Sequence, residues 1–493
     1  MKKLVALIAF AFYGTTLATA QVSVPKVTGP IPVTAESFPF LAASRVQEVV
    51  DLAKAGYVEE EFIVSGLANV YDWAAAGSIS VKAANAPYTT RILVRRPSTP
   101  ARFSGNVILE PLENARRFDW SFLWAISHDY FIEHGDAWVG VTHTPAGIES
   151  LKKFNATRYA SLSLANPVPD ERCEQGNVTS DGEEGLRFDI MSQLAALFKG
   201  NAATSPMPGF NVQYMYATSH TGELVTYIHA INLRARLGSG KPAYDGFLIQ
   251  GDSAPARIRR CADAPAAGDP RRITRNAGVP VIRAIPQGDV LGAFNLRRQD
   301  SDEANDRYRL YEVTAAARMD VSFYRHMPST QDQAAAGQPA FPGIWPFAYQ
   351  CDPPIALMEL PVYQYTLNAA FANLDRWARN GTAPPKAERI GIENGGTPQA
   401  KFVTDQYGNA VGGVRSPYVD VPAATYFPNS PGQAICRNIG HKISFDWTRL
   451  ETLYGSSKNY GAKVGESVDR LARDRWVTEP DARKMKAEMV APR

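Results

Sequence analysis

The sequence has almost no net charge: 52 basic and 49 acidic residues leave a formal +3 over 493 residues. A nucleic-acid partner needs a concentrated basic face, so that class of function is not expected. Cysteines are few. The four, Cys173, Cys261, Cys351 and Cys436, stand too far apart for the CxxC pairs of zinc and redox motifs. Beyond the N-terminus no apolar run approaches the roughly 20 residues that a membrane-spanning helix needs. Histidine is scarce, with seven in all, which limits the candidates for a general base. The apolar fraction of 45% and the charged fraction of 20% are those of a globular chain.

What is present begins with an export signal. Lys2 and Lys3 precede an apolar run from Leu4 to Tyr13, and small Ala18 and Ala20 fit cleavage after Ala20. Residues 1–20 are therefore expected to be a signal peptide and the mature chain periplasmic or secreted. In such a compartment four cysteines are expected to form disulfides, and three pairings are open.

Short apolar strands separated by helical stretches run through the rest. Tyr57–Ser65 and Tyr88–Arg95 alternate polar and apolar residues and predict an antiparallel edge. Asn106–Glu110 and Ala137–Val141 read as buried strands around a helix over Trp120–His134 that Gly135 stops. Further helices are expected over Arg187–Lys199, Gly222–Leu237 and Pro361–Gly381, and from Trp447 onward. Further strands are expected over Asn211–Ala217, Asp245–Gln250, Val279–Ala284, Tyr308–Val313 and Val419–Tyr426. This pattern predicts an α/β fold with a mostly parallel sheet flanked by helices. Residues 21–493 are expected to form one domain with lid-type insertions near 145–186 and 325–410. Aromatic residues Phe341, Trp345, Phe347 and Tyr349 in the second insertion would suit an apolar or ring-bearing substrate.

The most informative stretch is Val212–Ile228, VQYMYATSHTGELVTYI. An apolar strand enters a turn of small residues and a helix follows at once. Ser219 stands at that turn, where a parallel sheet can present a nucleophilic hydroxyl. The flanking positions of the usual G-x-S-x-G are Ala217 and Thr221 here, with Gly222 one further on. A plain helix cap would also place a serine there.

Taken together, the chain resembles a family of exported bacterial alpha/beta hydrolase domain proteins. The resemblance rests on YTTRILVRRP and FSGNVILEPLEN, on GDAWVGVT, RYASL and RFDIMSQ, and on ATSHTG and GGVRSPYVDVPAATY, in that order. It implies an α/β-hydrolase fold and ester hydrolysis. The family's G-x-S-Q-[ST]-G elbow falls on Ala217–Gly222, its serine on Ser219, and His220 replaces the glutamine. Its acidic E-x-D turn falls on Gln287-Gly288-Asp289, so Asp289 keeps the carboxylate. Its histidine, in a segment like EVxGTAHAD, falls on Arg318.

Arginine stays protonated and cannot accept the serine's proton. A replacement base is therefore expected, with His326, eight residues on, as first candidate and His143 and His220 behind it. Ser219, Asp289 and His326 are the expected catalytic residues. The amide of His220 and the loop around Leu112–Asn114, with Asn114, are expected to serve the oxyanion, and Arg318 a substrate anion or an ion pair with Asp289 or Asp320. The leading reading is a carboxylic ester hydrolase with a small-molecule substrate, needing no cofactor and no metal. The alternative is a catalytically impaired binding protein in which Arg318 has taken the histidine's place. A metal-dependent hydrolase would have to draw on His134 with Asp136 or His128 with Asp129, pairs that face different ways.

Overall fold

A computed structural model describes residues 20–74, 77–173, 181–200, 204–251, 254–338, 351 and 361–489. The signal segment before Ala20 and the four aromatics Phe341, Trp345, Phe347 and Tyr349 lie outside the described residues.

The centre is a nine-stranded sheet. Its strands in chain order are β1 (Lys26–Thr28), β2 (Tyr57–Trp73), β3 (Ile79–Pro97), β4 (Asn106–Pro111), β5 (Ala137–Val141), β6 (Tyr214–Ser219), β7 (Gly246–Gln250), β8 (Val281–Pro286) and β9 (Tyr308–Val313). Across the sheet they run β1-β2-β3-β5-β4-β6-β7-β8-β9. Strands β4 to β9 are mutually parallel, while β3 is antiparallel to both β2 and β5. This is the α/β-hydrolase fold. The strand swap, β5 lying outside β4, follows from the right-handed crossover through α1 (Leu123–His134).

Residue type explains the layers. Every residue of β4, β5, β7, β8 and β9 is buried, as a parallel sheet covered on both faces requires. The covering helices are α1, α2 (Pro145–Phe154), α3 (Arg187–Lys199), α4 (Glu223–Tyr227), α5 (Gln287–Val290), α6 (Val321–Arg325), α7 (Thr330–Ala335) and α8 (Val362–Asn380). The antiparallel pair expected from alternation runs much further than predicted, from Tyr57↔Pro97 to Trp73↔Ile79.

One buried charge organises the β4–α1 connection. Glu110, on β4, accepts the N–H groups of Phe122 at 2.6 Å, Leu123 at 2.8 Å and Trp124 at 3.2 Å, and the Trp138 indole N–H at 2.8 Å. The carboxylate thus caps the start of α1, whose first amides have no partner of their own.

Two expected elements differ. The helix predicted over Gly222–Leu237 is α-helical only to Tyr227 and widens to a π-turn over Ile228–Asn232. There Thr226 spends its hydroxyl on the Ala256 carbonyl, 2.6 Å away. The strand predicted over Val419–Tyr426 begins as a helical turn, Pro417–Asp420, and only Ala424–Phe427 is extended. Proline's fixed φ suits the first helical position, which alternation alone does not reveal.

The cysteines pair as Cys173–Cys261 and Cys351–Cys436, and no free cysteine remains among the described residues. Two disulfides suggest an oxidising compartment. No described helix is long and apolar enough to cross a membrane.

Candidate active site

The carboxyl ends of the parallel strands bring the candidate residues together. β6 ends at Ser219, β8 runs into Asp289 on α5, and Arg318 follows β9. In open α/β sheets this edge is where ligands bind.

Ser219 is still paired in the sheet, opposite Ile249, and fully buried. Its Oγ donates to the carbonyl of Thr221 across 2.7 Å. The exposed, strained apex expected for a nucleophile is therefore not what this turn forms. Seven non-glycine residues among those described have positive φ, and Ser219 is not one of them. The close approach falls at Gly222 instead. A side chain there would run into the carbonyl oxygen of Ala254, and the Gly222 carbonyl accepts the Ala256 N–H at 3.0 Å. Ala217, in the glycine's place, is buried.

Arg318 donates through Nη1 to Oδ1 of Asp289 at 3.1 Å. Of the two partners expected for Arg318, Asp289 is the one it takes. Asp320 instead caps α6 by accepting the Phe323 N–H at 3.2 Å, and burial pushes its carboxyl up to about 6. The Gln287 side chain steadies the turn after β9 by accepting the Ala315 N–H at 2.7 Å.

His220 lies on the same side. Its ring stacks flat on Phe122, centroids 3.9 Å apart. The ring edge meets Asp289 at Gly251: a Cβ there would touch His220 Cε1 at 3.2 Å, Asp289 Oδ2 at 3.3 Å and His220 Nδ1 at 3.4 Å. Burial, with the nearby Arg318 charge, pushes His220 down to about 3, so it stays neutral at ordinary pH.

His326 goes elsewhere. Its Nδ1 is 2.7 Å from the Ser322 carbonyl in its own helical turn, and its ring lies 4.3 Å from that of His128 on α1. No described contact joins it to Ser219 or Asp289. The trio of Ser219, Asp289 and His326 expected from sequence is not gathered, because α6 turns His326 toward α1. His143 is buried with Nε2 2.9 Å from the Leu112 carbonyl.

The expected oxyanion loop is also committed. The N–H of Leu112 donates to Val141 at 3.0 Å and that of Glu113 to Trp120 at 2.9 Å, while the N–H groups of Asn114 and Ala115 serve the Glu113 carboxylate. Asn114 is half-buried and lines a neighbouring cavity. Burial, helped by the charge of Glu223, pushes Glu113 up to about 7. Glu223 in turn lies near Arg187, 3.6 Å away, and accepts from the Thr221 hydroxyl. Glu113 lies in the loop the sequence pointed to, whereas Glu223 is a neighbour of the site that sequence reading missed. Only its burial in the turn after β6 marks it.

No cluster of three metal-ligating side chains occurs among the described residues. His134 pairs with Asp136 at 2.8 Å and His128 with Asp129 at 3.5 Å, as separate pairs.

The model of the alpha/beta hydrolase domain family matches residues 27–487. The chain belongs to the alpha/beta hydrolase domain family. No curated protein sequence matches this alpha/beta hydrolase. Among solved structures it is similar to esterase Est22, with 10% identity over 59% of this chain and 82% of that one and a TM-score of 0.31. Fungal esterases from Rhizomucor miehei match at 11% identity, 57% and 81% coverage and a TM-score of 0.29. A glucuronoyl esterase from Solibacter usitatus matches at 10% identity, 58% and 84% coverage and a TM-score of 0.25. At these scores the likenesses carry no argument about this hydrolase's chemistry.

Proposed function

We propose that this alpha/beta hydrolase is an exported enzyme that cleaves a carboxylic ester slowly, with Ser219 as nucleophile. The observation that supports it is the placement of Ser219, Asp289 and Arg318 at the carboxyl ends of β6, β8 and β9. These are the places of nucleophile, acid and third member in the family pattern. Export is supported by the N-terminal signal pattern and the two disulfides.

In this reading Ser219 Oγ leaves the Thr221 carbonyl and attacks the ester carbonyl carbon. Its proton passes to the neutral His220 ring, which lies beside Asp289. The tetrahedral intermediate collapses, the alcohol departs with that proton, and water hydrolyses the acyl-serine by the reverse route. A base held near 3 is weak, because catalytic efficiency is best when the pKa lies near the working pH. Hence the low rate.

A second reading is favoured by one observation. Arg318 occupies the Asp289 oxygen that would orient a histidine, and the serine hydroxyl is turned inward. The chain would then be a catalytically impaired binding protein on the hydrolase fold. Treatment of the pure protein with a fluorophosphonate probe decides between them. Adduct on Ser219, absent from Ser219→Ala, is the expected result. No adduct on well-folded protein would sink the hydrolase and leave the binding protein.

A further inference from the structure

Three arginines within four residues, Arg257, Arg259 and Arg260, have no part in the site above. The structure separates their roles. Arg259 points into an ion-pair network, 2.7 Å from Asp72 and 2.9 Å from Glu171. Arg257 and Arg260 line a cavity of about 580 Å³. Among the described residues no carboxylate forms an ion pair with either, and the buried Nε of Arg260 has no hydrogen-bond partner there. The other guanidinium nitrogens of Arg260 are only partly used, Nη2 donating to the Glu171 carbonyl at 2.7 Å.

The cavity lies beyond the carboxyl ends of β4 and β5, between Asn114, Thr144 and Glu184. It adjoins the Ser219 turn through Glu184, Arg187 and Glu223, linked at 3.5 Å and 3.6 Å. Lys152 adds positive charge to its wall, and Arg117 stands there 3.8 Å from Glu149. Its acids are Glu149, Asp181 and Glu184. Glu149 pairs with Lys153 at 2.9 Å, and Glu184 shares Arg187 with Glu223. Glu183, close behind, is satisfied by the N–H groups of Gly185 and Arg260, both at 2.8 Å. The wall is also fixed: the Cys173–Cys261 disulfide follows Arg260 directly. A guanidinium that is buried, held in place and without a carboxylate partner is what recognises an anionic group on a ligand.

We propose that this cavity binds a carboxylate, held by Arg257 and Arg260, so that the ligand is an acidic molecule rather than a neutral one. As the acid-bearing part of an ester that Ser219 attacks, it rests on the hydrolase reading; as a binding site it stands without it.

The test uses monomethyl adipate, which carries one carboxylate and one ester, against dimethyl adipate, which has no charge. Binding to full-length Ser219→Ala is measured by calorimetry at constant ionic strength, and turnover of both compounds is measured with the wild-type protein. The half-acid is expected to bind at least about tenfold more tightly, with most of that preference lost in Arg257→Gln and in Arg260→Gln, as a charge-assisted bond predicts. Arg257→Gln is the variant to rely on if Arg260→Gln unfolds, since Arg260 also ties the chain to Glu171. Equal binding of the two compounds, or a preference that survives Arg257→Gln, overturns the proposal. Binding of the half-acid without turnover upholds the site and removes the hydrolase. Turnover without preference for the half-acid does the reverse.

Discussion

Arg318 reaches Oδ1 of Asp289 at 3.1 Å, and the two residues stand at the ends of neighbouring strands, β9 and β8. The acid is kept in place, but its partner is a permanent cation. Burial first, and the Arg318 charge second, make His220 a weak base. The arginine's charge adds to the burial that disfavours protonation of His220, and removal of Arg318 would take an ion-pair partner from the buried Asp289 carboxylate.

Arg318→His is therefore expected to raise esterase activity. A histidine at that place can be oriented by Asp289 and keep a pKa near neutrality. General-base catalysis supplies about 10²–10⁴-fold, so a gain of at least about 100-fold in kcat with 4-nitrophenyl acetate is expected. A new inflection should appear near about pH 6.5 in the rate profile. Arg318→Gln, which removes the charge without adding a base at that place, should raise the rate far less, by relieving only the smaller of the two causes that weaken His220, and should add no inflection near about pH 6.5. A flat response to Arg318→His would mean that the Ser219 turn, and not the base, limits the site.

Much of the fold was legible because it depends on local pattern. β5 and α3 have the expected bounds, Ala137–Val141 and Arg187–Lys199, since apolar runs and helical spacing are set within a few residues. Ser219 was legible from the turn that ends an apolar strand, and Asp289 and Arg318 through the family resemblance; the three stand at the carboxyl ends of β6, β8 and β9. The place of His326 was not legible. Whether a histidine eight residues beyond Arg318 faces Ser219 or α1 depends on the direction in which α6 leaves the sheet. The commitment of the Leu112–Asn114 amides was hidden for the same kind of reason, since Val141 and Trp120 reach that loop only in the folded chain.

Acid should destabilise the protein in part through His220. Its folded value is about 3 against an ordinary 6.5. Between these values the unfolded chain binds a proton that the folded one refuses, so this contribution is complete above about pH 6.5 and lost as pH falls. From pH 6.5 to 5 the loss is about 2 kcal/mol. Burial also pushes down His128, His143 and His326, and they act in the same direction. Glu113 and Asp320, pushed up to about 7 and about 6, act in the opposite sense. The informative quantity is thus a difference. Urea unfolding at pH 7 and pH 5 should show a smaller acid loss in His220→Gln than in wild type. Equal losses would show that His220 is solvated in solution.

Glu110 should matter more than any exposed acid. It satisfies three amides at the start of α1 and the Trp138 indole from inside the core. Glu110→Ala leaves these donors buried and unpaired, at a cost of about 3 kcal/mol or more by denaturant titration. Glu149→Ala, at an exposed ion pair with Lys153, should change stability by less than about 1 kcal/mol. Comparable effects from the two would mean that water reaches the Glu110 site.

The two disulfides offer a paired test of the acidic-ligand cavity. They span nearly equal stretches of chain, 88 and 85 residues. Chain entropy therefore assigns them nearly the same stabilisation, about 4 kcal/mol each. Their positions differ. No cysteine lines the cavity, but Cys261 directly follows Arg260 of its wall, whereas neither Cys351 nor Cys436 neighbours a lining residue in sequence. Replacing either pair with serine should lower Tm by a similar amount. Only the Cys173→Ser, Cys261→Ser double variant should weaken binding of monomethyl adipate, because only that one frees the arginines to move. If both double variants weaken binding equally, the disulfide acts through global stability and the fixed wall is not what recognises the acid. If neither does, Arg259 and its ion pairs hold the wall unaided.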